Sequence, residues 1–206
     1  MSSIEKLKKA ELKQCQAYKV TDCGLTLEKV KALESNPAGT SKGDELNPDY
    51  KGKVIINGDK LVINLNYVLT GNIDRAKAGL KNITDIYAAA MVTINFSPNP
   101  AKFDLRIHGA TLAEFAQGLK LCDCDAALLV GGWAPSPKHY KWGKALLLNS
   151  TTPKSEWPLV DAHEFGHKLG LKHRTDLGIM DYPPKKGIDR RKVTESDKKR
   201  IMDLYK

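Results

Sequence analysis

The sequence predicts an α+β fold with a mixed sheet, on three observations. A helix-period segment opens the chain, short β-branched and apolar runs cluster around a long amphipathic helix in the middle, and helices return in the last quarter. The strands do not alternate regularly with helices. At 206 residues the chain is long enough for a sizeable core.

Each element has a local reason. Ile4 to about Val20 places Ile4, Leu7, Glu11, Leu12 and Cys15 at helical intervals, and Thr26 to Ser35 suits a second, short helix. The stretch NPAGTSKGDELNPDYKG has the Pro, Gly, Asp and Asn content of a loop or linker, which puts a boundary near residue 50. An N-terminal helical segment, 1–50, would then precede a main domain, 51–206. Two β-branched runs flank Asn57-Gly58 in KVIINGDKLVINL, a hairpin signal. With Asn72 or Asp74 as cap, Ile73, Ala76, Leu80, Ile83, Tyr87 and Ala90 then share one helix face. Residues 92–96, 103–108, 125–131 and 144–150 read as strands between turn residues. In VTESDKKRIMDLYK, Thr194 is the expected N-cap, Asp197 follows three residues on, and Ile201 and Leu204 are apolar, so the chain ends in a helix.

Composition narrows the function classes. No apolar run approaches the ~18 to 20 residues of a membrane span, and MSSIEKLKKAELKQ is too charged for a secretory signal. The net charge is +9, and Lys185 to Lys206 alone supplies a large share of it. Charge of this kind steers encounters over long range. Without basic and aromatic residues interleaved as a stacking platform, nucleic acid is not an expected partner. Four cysteines, Cys15, Cys23, Cys122 and Cys124, allow pairing in an oxidising compartment or four reduced thiols. If they pair, Cys122 and Cys124 are better placed to bond to the N-terminal pair than to each other.

The chemistry concentrates at DAHEFGHKLGLKHRTDLGIMDY, residues 161 to 182. His163 and His167 are four apart and share one helix face, so both imidazoles can reach one ion. Glu164 lies one step round. Leu159, Ala162, Phe165 and Leu169 give the helix a dry side, and Pro158 suits its first turn. Gly170 can take the left-handed conformation that ends a helix and turns His173 back toward the same metal. Three imidazoles leave a coordination position open, the catalytic arrangement of zinc. His108 and His139 lie outside this cluster and read as hydrogen-bonded or surface histidines. Glu195 is a weaker third ligand than His173, because it belongs to the final helix.

HEFGHKLGLKH matches HExxHxxGxxH, the zinc-binding consensus of the metzincin metallopeptidases, and Met180 in GIMDY resembles the methionine of their Met-turn. The Thr-Asp-Leu-Gly after the third histidine, the Tyr182-Pro183 pair and the C-terminal helix are most similar to the matrixin branch. The resemblance implies a zincin-like fold with a twisted mixed sheet, an active-site helix and a C-terminal helix. It also implies Zn2+ on His163, His167 and His173, Glu164 as general base and Met180 as packing beneath the metal. Asp181 separates Met180 from Tyr182, a spacing similar to that of astacins and serralysins, which leaves Tyr182 between oxyanion helper and pocket wall. Substrate in metzincins lies along an edge strand shortly before the zinc helix, and 144–150 is the candidate, with an interior strand as the other reading. DCGLT is similar to segments whose cysteine keeps some metzincins latent, so Cys23 stands as a latency thiolate, a disulfide partner or an inert thiol.

The implied activity is a zinc-dependent endopeptidase acting on protein or peptide, as a monomer. The alternatives are a secreted or delivered toxin or effector carrying the same peptidase domain, met by an inhibitor or immunity protein, and a non-catalytic binding module stabilised by zinc. An extracytoplasmic setting without a recognisable signal peptide is expected, with a cytoplasmic one left open.

Overall fold

The structure is a computed structural model that describes residues 2–18, 23–35, 43–139, 141–174, 178–181 and 192–206. Its order is α1 (Ser3–Ala17), α2 (Leu27–Ser35), β1 (Val54–Asn57), β2 (Lys60–Gly71), α3 (Ile73–Ala88), β3 (Val92–Pro98), β4 (Leu105–Ala110), α4 (Leu112–Gly118), α5 (Cys124–Leu129), β5 (Gly132–Trp133), β6 (Ala145–Asn149), α6 (Trp157–Lys168) and α7 (Glu195–Tyr205). The architecture is the mixed α+β one that the sequence predicts.

The long strand β2 organises the sheet. Its first half takes β1 antiparallel on one edge and β3 parallel on the other, with Ile63 opposite both Val54 and Ile94. Its second half pairs in parallel with β4, which pairs in parallel with β6. The short β5 closes this side antiparallel to β6, with Gly132 opposite Leu148 and Trp133 opposite Leu147. Strand β6 is therefore interior, and every one of its residues is buried. This corrects the expectation that 144–150 is the edge strand. That edge belongs to β5, only two residues long, and among the described residues no strand pairs with its outer side.

The pleat of β6 sends side chains into two cores, because successive residues face opposite sides. Leu146 and Leu148 pack with α3 and α6 residues such as Ile83, Tyr87, Ala162 and Phe165. Ala145 and Leu147 pack on the other side with Cys15, Leu112, Phe115 and Ala127. Between α3 and α6 the first core also holds an ion pair. Arg75 donates Nη1 to the Asp161 carboxylate at 3.0 Å and Nη2 to its other oxygen, and Asn82 donates to the same carboxylate at 2.7 Å.

Two sequence expectations change here. Residues 125–131 read as a strand, but 125–129 lie in α5, capped by Asp123, whose carboxylate accepts from Ala126 N–H at 2.8 Å. A six-residue apolar segment suits either state, and the cap decides it. Helix α4 went unread despite its capping box, Thr111 with Glu114. The cysteines pair as Cys15–Cys124 and Cys23–Cys122, fastening α1 and the segment before α2 to the α4–α5 region. The Cys23 sulfur is bonded to Cys122 and is no thiolate available to a metal, which removes the latency reading.

Candidate active site

Helix α6 carries the site. Pro158 sits in its first turn, and Ala162, Phe165 and Leu169 are fully buried against the first core. The helix ends in a Schellman arrangement: Gly170 N–H donates to His167 O, Leu171 N–H donates to Gly166 O, both at 3.0 Å, and Gly170 has φ +95°. That left-handed residue turns the chain back, and His173 returns to the helix. Its Nε2 lies 3.1 Å from His163 Nε2 and 3.0 Å from His167 Nε2.

The outward nitrogens of two of these rings are committed. His163 Nδ1 lies 2.8 Å from Ile179 O, and His167 Nδ1 lies 2.8 Å from Leu171 O. A carbonyl only accepts, so both Nδ1 atoms carry the proton and both Nε2 atoms present lone pairs. Burial, then the neighbouring imidazoles of His163 and His173, hold His167 well below the usual histidine range. Burial and the charge of Lys172 lower His173. These rings are kept neutral, the state in which imidazole ligates a metal.

Glu164 shares this face and stands against β5. Burial pushes its carboxyl up to about 8, against the Ala134 N–H bond and the charge of Lys168, which pull it down, and with Asp161 adding to the rise. Gly132 makes the approach possible, since a Cβ there would lie 2.5 Å from Glu164 Cγ. A cleft of about 980 Å³ runs past the three histidines, Glu164 and β5.

Beneath the histidines the chain is anchored by residues to which sequence reading gave no role at the site. Asp197 of α7 accepts Ile179 N–H at 2.9 Å as well as Thr194 N–H and Oγ–H at its own cap, so the carbonyl that orients His163 belongs to a residue fixed by α7. Asp44 accepts Lys172 N–H at 3.0 Å and is bonded by Arg200 Nε and Nη2 at 2.8 and 2.6 Å. Glu45 N–H donates to Gly170 O at 2.9 Å, and Asn47 Nδ2 donates to Lys168 O at 2.8 Å. The described part of the region read as a linker thus binds the turn between the second and third histidines.

A family model described as matrixin matches residues 89–206, more than half of the chain, with the three histidines and Glu164 inside the match. The chain belongs to the matrixin family. Matrix metalloproteinase-18 of Xenopus laevis is 45% identical over 49 residues, 23% of this chain and 10% of that relative. The chain therefore aligns with about a tenth of the length of the curated relative it matches. Matrixins are zinc-dependent metalloproteinases, and the mixed sheet and helices described above fit that fold.

As a matrixin, the chain keeps Met180 fully buried against α6, where Gly166 leaves room for its sulfur. Tyr182 and the loop after it lie outside the described residues. His108 and His139 are not at the site. His108 is buried between Thr70 Oγ1 at 2.8 Å and Glu114 Oε1 at 2.9 Å, and His139 Nδ1 accepts Trp142 N–H at 3.1 Å. Glu195 pairs with Lys198 on α7. The capping box at Thr194 was a legible signal for Asp197; its second duty toward Ile179 was not.

Proposed function

We propose that this matrixin is a zinc-dependent endopeptidase. The observation that carries the reading is the convergence of His163, His167 and His173, whose ligand nitrogens all lie within 4.8 Å of one another. Three ligands about 2.0 to 2.1 Å from a tetrahedral zinc stand roughly 3.3 Å apart, close to the two separations that His173 makes with His163 and His167. The donor set of neutral imidazoles, with Nδ1 of two rings held by carbonyls, suits that ion.

Zinc, when bound, supplies Lewis acidity, acidifying water and polarising a carbonyl. Glu164 accepts the proton of the attacking water and passes it to the leaving amine. Tyr182 is proposed as the donor to the tetrahedral oxyanion. Substrate lies extended along the outer edge of β5, which leads the scissile bond past Glu164. Residues 51–206 are proposed as the catalytic domain and 1–50 as its helical companion. Two disulfides support an extracytoplasmic or secreted setting.

Cleavage profiling on a peptide library by mass spectrometry tests the proposal. Wild type is expected to cut internal bonds, and a chelator to stop it. Turnover that survives metal removal, or no cleavage by the zinc-loaded protein, overturns it.

A further inference from the structure

Lys168 follows His167 directly and is only 2% exposed. Its ammonium donates to Pro135 O at 2.6 Å and Gly143 O at 2.9 Å. Removing an ammonium from water costs several kcal/mol, and the two carbonyls together with the charges of Glu164 and Asp49 offset part of that. An apolar side chain would fill the same space more cheaply, so packing alone does not account for the charge. The two carbonyls stand at the two ends of one loop, and Lys168 ties those ends to α6. Pro135 to Lys138, at the start of that loop, line the cleft that holds the histidines and Glu164. They continue the chain from Ala134, whose N–H bonds the Glu164 carboxylate. Inside the loop, His139 N–H donates to Ser136 O and Gly143 N–H to His139 O, both at 2.9 Å, which links Pro135–His139 to the far end at Gly143.

We infer that Lys168 is a positioning residue for substrate. It holds Pro135–Lys138 as a rim continuing the edge of β5, and this rim takes the stretch of extended polypeptide that runs on from the scissile bond. The substrate class is then a chain long enough to occupy both β5 and the rim. This rests on the peptidase reading above, but the loop tether is measurable without turnover.

The experiment compares wild type, Lys168→Met, Lys168→Gln and the exposed-site control Lys81→Met, all zinc-loaded. In Lys168→Met, KM for a peptide of ten or more residues is expected to rise about tenfold while kcat changes less than about threefold. Lys168→Gln, which keeps a neutral N–H donor, falls between, and Lys81→Met matches wild type. In the free protein, amide exchange at His139 and Gly143 speeds up in Lys168→Met while α6 stays protected, and zinc affinity by chelator competition is unchanged. An unchanged KM, or loss of zinc affinity with exchange spreading through α6, overturns the inference and makes Lys168 a structural residue only. Should the Lys168 variants fail to fold, exchange in Glu164→Gln decides: a bound peptide slows His139 and Gly143 if the rim takes substrate, and leaves them unchanged if it does not. If wild type cleaves nothing while the loop loosens in Lys168→Met, the peptidase reading fails and the tether stands.

Discussion

The Asp197 carboxylate accepts the N–H of Ile179 at 2.9 Å, and the Ile179 carbonyl is 2.8 Å from His163 Nδ1. A carboxylate on the last helix is thereby one peptide unit away from fixing the tautomer and tilt of a metal-site imidazole. Groups in this supporting position are worth roughly 10 to 100-fold in metal affinity. Asp197→Ala is expected to weaken zinc by about that factor, read by chelator competition, and to lower stability by about 2 to 4 kcal/mol because three donors lose their acceptor.

Glu164→Gln keeps the shape of the side chain and removes its basicity. Turnover of a cleavable peptide is expected to fall by about 10² to 10⁴-fold with zinc stoichiometry unchanged, the scale of a general base. Cleavage at the wild-type rate would take the proton transfer away from Glu164.

Asp44 gives the fold an acid limit. Burial alone would raise its carboxyl, but the hydrogen bonds from Arg200 and Lys172 N–H and the charges of Arg200 and Arg174 outweigh that, and the pKa is lowered. A depressed carboxylate stabilises the fold above its unfolded value, about 4, and loses that contribution as pH falls through the folded value. The Tm advantage of wild type over Asp44→Asn is therefore expected to be level at neutral pH and to shrink below about pH 4. An advantage that grows on acidification would contradict the assignment.

Arg75 and Asp161 are both fully buried, and burial raises the Asp161 carboxyl despite the Arg75 and Asn82 hydrogen bonds. The pair is costly to bury, and breaking one partner is costlier still. Arg75→Leu strands the carboxylate and is expected to cost about 3 to 5 kcal/mol, a Tm drop of roughly 10 °C for a chain this size by thermal denaturation. Arg75→Leu combined with Asp161→Leu is expected to recover part of the loss.

The parts of this molecule that local chemistry writes out were readable in advance. The Asn72 and Thr194 caps, the hairpin turn with its left-handed Gly58, one residue on from the expected Asn57-Gly58 pair, and the left-handed Gly170 each place a residue type where backbone geometry demands it. Position within the sheet was not readable. Whether 144–150 lies inside or at the edge depends on β5, whose two residues carry no periodicity. Residues 125–131 misled because a short apolar run suits both helix and strand. The tethers from Asp44 and Lys168 join residues distant in sequence, and a loop composition says nothing about what the loop binds.

Gly132 carries a further meaning for engineering. A methyl group at that position would press on Glu164 at 2.5 Å and on Val160 at 3.0 Å, both side chains of α6. Gly132→Ala is thus a route to a protein that still grips its ion and its target but no longer cuts, visible as retained peptide affinity with lost turnover.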